Sequence, residues 1–265
     1  MRTLKFTLSG KNAFFKKPEV NAYCYFTYGQ IHRVALLGIF GAIMGYKGYG
    51  HDGEYPEFYE KLRELKLSIV PRNPQGYIQK KVQMFNNTVG YASQEQGGNL
   101  ITREQWLENP VWDIYILLDC EEADKLSDMI LERRCVYIPY LGKNDHLADI
   151  GDAKVVELET DSGENTVLSC LYLKKDGKLG IADDNDEDED EDDDDNEEVP
   201  EFKYEEKLPV GIDDHLNLYE YETFCYTNMK VTLKEKEILP LKIKEIMTTT
   251  ISRQKLPLPV LTTWS

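Results

Sequence analysis

Residues 14–50 read FFKKPEVNAYCYFTYGQIHRVALLGIFGAIMGYKGYG. Three unlike things adjoin in them: a basic lead-in marked by Pro18, one amphipathic helix, and a glycine-punctuated aromatic exit. Apolar or small residues fall at Ile31, Val34, Ala35, Gly38, Ile39, Ala42, Ile43 and Tyr46, the i, i+3, i+4, i+7 rhythm of one helical face. The spacing predicts a helix over about 30–46. Thr27 or Tyr28-Gly29 opens it, and Gly45 and Gly48 close it, as glycine does past a helix end. Gly38, Gly41, Ala42 and Gly45 put small residues on successive turns, so the helix is expected to lie close against a sheet, at about 1 kcal/mol of lost propensity per glycine. The apolar run from Val34 to Met44 is well short of the ~20 residues that cross a bilayer, and His32-Arg33 and Lys47 bracket it. A strand-like segment precedes it and no cleavage site follows, so it does not read as a signal peptide.

Outward from this helix the pattern is legible on both sides. Residues 2–8 (RTLKFTL) alternate as a half-buried strand does. Residues 56–65 (PEFYEKLREL) read as a short helix, and Leu67, Ile69 and Val70 as a second strand stopped by Pro71. Residues 72–110 are polar and contain glycine, with Lys80-Lys81 and Asn86-Asn87 in a hairpin arm too long for an ordinary connection. WDIYILL (112–118) reads as a buried strand, EEADKLSDMILER (121–133) as a second amphipathic helix, and CVYIP (135–139) as a fourth strand. The order β-α-β-arm-β-α-β is the ferredoxin-like plan of an α+β domain, the topology of RNA-recognition domains. After Pro139 the pattern changes. YLGKNDHLADI (140–150) reads as a loop and short turn. Residues 154–159, 166–173 and 202–234 are strand-like, and PLPVLTTW near the end is extended by proline. The expected division is a first domain over 1–150, with its arm at 72–110, and a smaller β-rich lobe over 151–265.

The formal charge is −17, but its distribution is uneven. Residues 183–198 hold 14 acids and no base; without them 34 acids face 31 bases, a net of −3. Such a tract cannot build a core and is expected to be a disordered loop. Residues 1–103 carry 14 Lys and Arg against 7 Asp and Glu. A basic patch binds phosphates even on an acidic chain, because the field that matters is local, over a Debye length of ~8–10 Å. Cys24, Cys120, Cys135, Cys170 and Cys225 are scattered with no CxxC, which reads as reduced thiols in a cytoplasm. His32, His51, His146 and His215 form no ligand spacing with them, so neither a metal site nor a cofactor is expected.

In this order the motifs resemble the CRISPR-associated RAMP subunit of type I Cascade complexes, the fifth Cas family, and most nearly its type I-B branch. The resemblance is carried by FKKPEVN (15–21), TYGQIHRVALLGIFGAIMGYKGY (27–49), LENPVWDIYILLD (107–119), YLGKNDHLADI (140–150), LPVG (208–211) and YTNMKV (226–231). The acidic tract departs from the family pattern as an insertion. The resemblance implies one ferredoxin-like domain with a protruding thumb hairpin and a small C-terminal sheet. It also implies a role as the cap of the complex: holding the 5′ handle of the crRNA and joining the backbone RAMP subunits to the large subunit. Target DNA would be met through the assembled complex, where base pairing reads sequence and protein contacts fix shape.

The candidate RNA-binding residues fall in four groups. Lys16 and Lys17 precede Pro18 beside a helix start, a place suited to phosphate. Tyr28, His32 and Arg33 stand at that start; His32 and Arg33 fall off the apolar stripe and are expected to face away from the core, with Tyr28 free to stack on a base. Lys47, Gly48 and Tyr49 form the exit, where glycine admits a backbone, lysine supplies charge and tyrosine a stacking face, while Tyr46 points inward. Arg72, Lys80, Lys81, Asn86, Asn87 and Arg103 lie in the arm, which by resemblance is the thumb; Lys143 and Asn144 lie in the YLGKNDH loop, near His146.

No catalytic residue is expected. The rival reading is a metal-independent endoribonuclease processing the guide precursor, as relatives in the type I-C branch do. It needs a base, an acid and a cation at the phosphate, for which Tyr28, His32 and Lys47 are the candidates. A third reading is a stand-alone single-stranded RNA-binding protein.

Overall fold

A computed structural model describes residues 1–18, 23–50, 55–88, 90, 94, 96, 98–160, 166–179, 200–213, 216–233 and 241–243. The acidic tract at 183–198 and the proline-rich end lie outside them. In chain order the elements are β1 (Arg2–Ser9), β2 (Asn12–Ala13), α1 (Arg33–Met44), α2 (Glu57–Leu62), β3 (Leu67–Pro71), β4 (Lys80–Asn86), β5 (Ile101–Glu108), β6 (Val111–Leu117), α3 (Glu121–Leu131) and β7 (Asp149–Thr160). There follow β8 (Thr166–Val167), β9 (Tyr172–Leu173), β10 (Gly177–Leu179), β11 (Lys203–Ile212), β12 (Tyr219–Thr227), β13 (Lys230–Leu233) and β14 (Leu241–Ile243). The fold is α+β, with mostly antiparallel sheets and few helices.

The alternation in β1 sets the layers. Leu4, Phe6 and Leu8 are fully buried on one face, and Lys5 and Thr7 stand on the other. β1 pairs antiparallel with β6 and with β7, and β6 pairs antiparallel with β3. The resulting sheet runs β14-β7-β1-β6-β3. Helix α1 lies over it, with Phe40 edge-on to Phe6 at 6.2 Å. Helix α3 buries Ala123, Leu126 and Ile130 in the same core. The arm is the antiparallel pair β4–β5, anchored where β5 meets β2.

The fourth strand of this order is β7, not 135–139. Val136, Tyr137 and Ile138 are exposed. The reason lies in their backbone. The amides of Val136 and Tyr137 donate to the carbonyls of Ile43 and Ala42, the latter also accepting from the Gly45 amide, so both serve the end of α1. A segment so used has no ladder to join. β7 pairs with β1 on the side away from β6, with β14 outside it, and spans Asp149–Thr160.

The small residues of α1 also face elsewhere than expected. A Cβ at Gly41 would lie 2.4 Å from Phe58, so Gly41 admits α2 rather than the sheet. Gly45 is the C-cap at φ 81°, the left-handed region that favours glycine. Deepest burial on α1 belongs to Leu36, Leu37 and Phe40.

The C-terminal strands pack on both faces of the first sheet. Leu208, Ile212 and Phe224 of the β11–β12 hairpin join the core that contains α1. On the opposite face Val70 and Tyr115 pack with Leu158, Leu168, Cys170, Tyr172, Cys225 and Val231. The hairpin is fastened to the helical side by polar contacts: the Ile212 amide donates to the Tyr59 hydroxyl at 2.8 Å, and the Tyr55 hydroxyl donates to the Ile212 carbonyl at 3.0 Å. Among the described residues no helix is long and apolar enough to cross a membrane.

Candidate nucleic-acid interface

A cleft of about 870 Å³ opens along the side of α1 away from its deepest burial. Ala35, Gly38 and Ala42 line it, so the predicted apolar stripe is in part the floor of an open groove. Nothing bulky covers the helix backbone at Gly38, where a Cβ would meet only Phe58 at 4.0 Å. Aromatic rings stand around this floor: Tyr46, Tyr49 and Phe58 on one side, Tyr137 and Tyr140 on another, Phe14 and Tyr219 near the helix start. Lys16 and Lys47 line the cleft, with neutral His32 between the rings, and among the described residues no carboxylate lines it.

Of the predicted residues, the cleft gathers Lys16, His32, Lys47, Gly48 and Tyr49. Lys16 is exposed, its ammonium 3.9 Å from the centre of the Tyr25 ring. Lys47, Gly48 and Tyr49 are exposed, and the Tyr49 phenol hydrogen-bonds to Tyr219. Tyr46 leans inward and donates to Glu122 at 2.5 Å.

Tyr28, His32 and Arg33 do not face away from the core. They are 3%, 4% and 5% exposed. His32, not Thr27 or Tyr28-Gly29, is the N-cap of α1: its Nδ1 accepts from the Ala35 amide at 3.2 Å. Its ring packs edge-on against Phe15, Tyr28 and Tyr219, and burial pushes its pKa down to about 3. Arg33 is buried because the end of α2 needs donors. Its guanidinium donates to the Leu65 carbonyl at 2.9 Å and to the Arg63 carbonyl, and burial lowers its pKa to about 10. The Tyr28 hydroxyl pairs with that of Tyr221 at 3.1 Å, so its ring is not open to a base.

The other lysines and arginines divide by partner. Lys17 lies 3.2 Å from Glu206, Lys81 3.0 Å from Glu108, Lys143 2.9 Å from Glu104, and Arg72 3.0 Å from buried Asp113. Lys80 is half-buried at the start of β4. Asn86, Asn87 and Arg103 are exposed on the arm, and Asn144 on the 140–147 loop. On one arm face Val82, Met84 and Ile101 are exposed; on the other Phe85 and Trp106 pack beneath Lys143. His146 packs edge-on to Trp106 at 4.4 Å, with both ring nitrogens unpartnered among the described residues. Burial, then the Lys143 charge, lowers its pKa.

Sequence reasoning missed Tyr137, Tyr140 and Tyr219. The first belongs to the apolar run taken for a strand, and Tyr140 directly follows it. Tyr219 lies about 190 residues from Tyr28, and only the fold brings it beside His32. Among the described residues no group of three or more His, Cys, Asp or Glu is placed to hold a metal ion.

No family model and no curated protein sequence matches this chain. Solved structures do. The chain is similar to a chain of a CRISPR RNA-guided surveillance complex, at 14% identity and a TM-score of 0.50 over 88% of this chain and 91% of that one. It is similar to a CRISPR protein from Archaeoglobus fulgidus, at 9% identity and a TM-score of 0.49 over 98% and 99%. A third likeness is to a chain of the type III-B Cmr-beta complex bound to cognate target RNA and AMPPnP, at 14% identity and a TM-score of 0.46 over 88% and 86%. The first of these establishes a shared fold along nearly the whole length of both chains.

Proposed function

We propose that this chain is a non-catalytic subunit of a type I CRISPR Cascade surveillance complex in the cytoplasm, of the type I-B kind, and that it holds the 5′ handle of the crRNA. In this reading β1, α1, β3, β6, α3 and β7 make a ferredoxin-like RAMP domain, and β4–β5 is its thumb. The subunit joins the backbone RAMP subunits to the large subunit and meets target DNA through the assembled complex. The observation that carries the reading is the cleft: aromatic walls, a floor of small residues and two lysines. Stacking faces with sparse charge suit the unpaired bases of a single strand. The fold shared with a chain of an RNA-guided surveillance complex supports the same reading.

The nuclease reading is less well supported. The Tyr28 hydroxyl is engaged by Tyr221. His32 has the Nδ1 lone pair committed to the Ala35 amide, and with a pKa of about 3 it is not an imidazolium acid at neutral pH. The test is to co-express the chain with its genomic neighbours and a repeat array, and separately to incubate the purified chain with labelled repeat RNA. Co-purification with guide RNA and no cleavage is the expected result. Cleavage by the chain alone would make it the nuclease; tight solo binding with no complex would make it a stand-alone binder.

A further inference from the structure

Three donors from separate parts of the chain converge on one carboxylate. Oε2 of Glu206, on β11, accepts from the Gly29 amide at 2.8 Å and from the Tyr204 hydroxyl at 2.5 Å. Oε1 of the same residue lies 3.2 Å from the Lys17 ammonium. A backbone N–H, a hydroxyl and an ammonium together are a donor set that proteins direct at phosphate oxygens. The seat lies beside the cleft rather than in its lining: Lys16, the next residue to Lys17, lines the cleft, and the Gly29 amide lies just before the start of α1.

We infer that Lys17, the Gly29 amide and Tyr204 form a seat for a backbone phosphate of the guide strand, and that Glu206 is the internal stopper that fills it when no strand is bound. This rests on the reading of the cleft as a guide-RNA surface. Exchange needs only a side-chain rotation, because the backbone of Glu206 stays paired opposite Phe224 in the β11–β12 ladder. The Glu206 side chain is 14% exposed, which leaves it a way out. A phosphodiester brings the same single negative charge and the same kind of acceptors, so Lys17 keeps a counter-charge throughout and none of the donors is stranded. The stopper also keeps other anions off the seat, since an empty cradle beside an ammonium would take any of them.

Two measurements test this. Thermal unfolding of Glu206→Ala is compared in inorganic phosphate and in chloride at equal ionic strength. The melting temperature of Glu206→Ala rises more in phosphate than that of the wild type, which shows only the general stabilisation by an excluded salt, and adding Lys17→Met removes the excess. An equal rise in Glu206→Ala and the wild type overturns the seat. Affinity for a single-stranded repeat RNA is then measured at low salt, with Glu222→Ala, which removes an equal charge from the same hairpin, as the control. Glu206→Ala binds about fivefold tighter than wild type and Glu222→Ala does not; an equal gain in both variants overturns the stopper. Should Glu206→Ala fail to fold, Glu206→Gln takes its place in the RNA measurement and the same gain is expected, its absence overturning the stopper. If no form binds RNA while the excess rise in phosphate appears, the seat stands and the guide-RNA reading falls.

Discussion

Nδ1 of His32 accepts the amide proton of Ala35 at 3.2 Å, and the ring that does so is enclosed by Phe15, Tyr28 and Tyr219. One side chain thus caps α1 and packs the joint between the lead-in, the helix and the β11–β12 hairpin. The arrangement holds only while the imidazole is neutral. Burial puts its folded pKa at about 3, against 6.5 for a free histidine. In the window between these values the unfolded chain binds the proton and the folded chain does not, so stability rises with pH there. The contribution is complete above about pH 6.5 and is lost as pH falls toward 3; at pH 4.5 the loss is about 3 kcal/mol. Urea midpoints of wild type and His32→Asn between pH 7.5 and 4.5 check this. Asparagine keeps a cap, so the variant is less stable at pH 7.5 but has the shallower pH profile. Parallel profiles would contradict the assignment.

Asp113 is the hub of the opposite sheet face. It is 4% exposed and is met by Thr7 at 2.9 Å, Arg72 at 3.0 Å and Lys5 at 3.3 Å. Asp113→Ala leaves Lys5, itself largely covered, without its counter-charge, and costs about 3–5 kcal/mol, the range for breaking a buried pair. Arg72→Ala removes only the more exposed partner and costs about 1 kcal/mol or less. Denaturant titration of both variants gives the contrast; similar losses would mean that Asp113 depends on Arg72 alone.

Where the sequence was legible, one rule operated at a time. Strands β1 and β6 were readable because a two-residue alternation and an apolar run each have one physical cause, a sheet face against a core. The helix was readable for its period, but not for its orientation. His32 and Arg33 fall off the apolar stripe and were expected outside for that reason, yet each is buried because its side chain satisfies open backbone groups, His32 at the start of α1 and Arg33 at the C-cap of α2 and just beyond it. The same accounting misplaced 135–139. Its residues are apolar enough for a strand, but two of its amides serve the end of α1. The cleft was half legible: Lys16 and the Lys47–Tyr49 exit lie in the quoted segment, whereas Tyr137, Tyr140 and Tyr219 reach it through tertiary contacts that no local pattern encodes.

Lys16 and Lys17 are adjacent in sequence but differ in setting. Lys16 is exposed at the cleft and Lys17 is held by Glu206. On the proposed reading, Lys16→Ala with Lys47→Ala therefore weakens binding of a single-stranded repeat RNA and lowers the slope of log affinity against log salt by about 1.4, the value for two lost phosphate contacts on a single strand. Lys143→Ala, whose ammonium is spent on Glu104, leaves that slope unchanged and loosens the base of the arm instead. Filter-binding across a salt series gives both slopes.

Tyr49 and Tyr137 are well exposed and both line the cleft, so removing either ring leaves the core intact. If bases lie in the groove, each ring is a stacking face worth ~1–3 kcal/mol, and Tyr49→Ala and Tyr137→Ala each weaken guide retention by about tenfold without changing the salt slope. Tyr137→Phe keeps the ring and retains binding, while Tyr137→Leu keeps apolar area but not the flat face and does not. That comparison separates stacking from general apolar cover, because a surface wanting only hydrophobic contact would accept leucine. Melting temperatures within about 2 °C of wild type for all four variants are required for the comparison to report on binding, and their exposed positions predict that outcome.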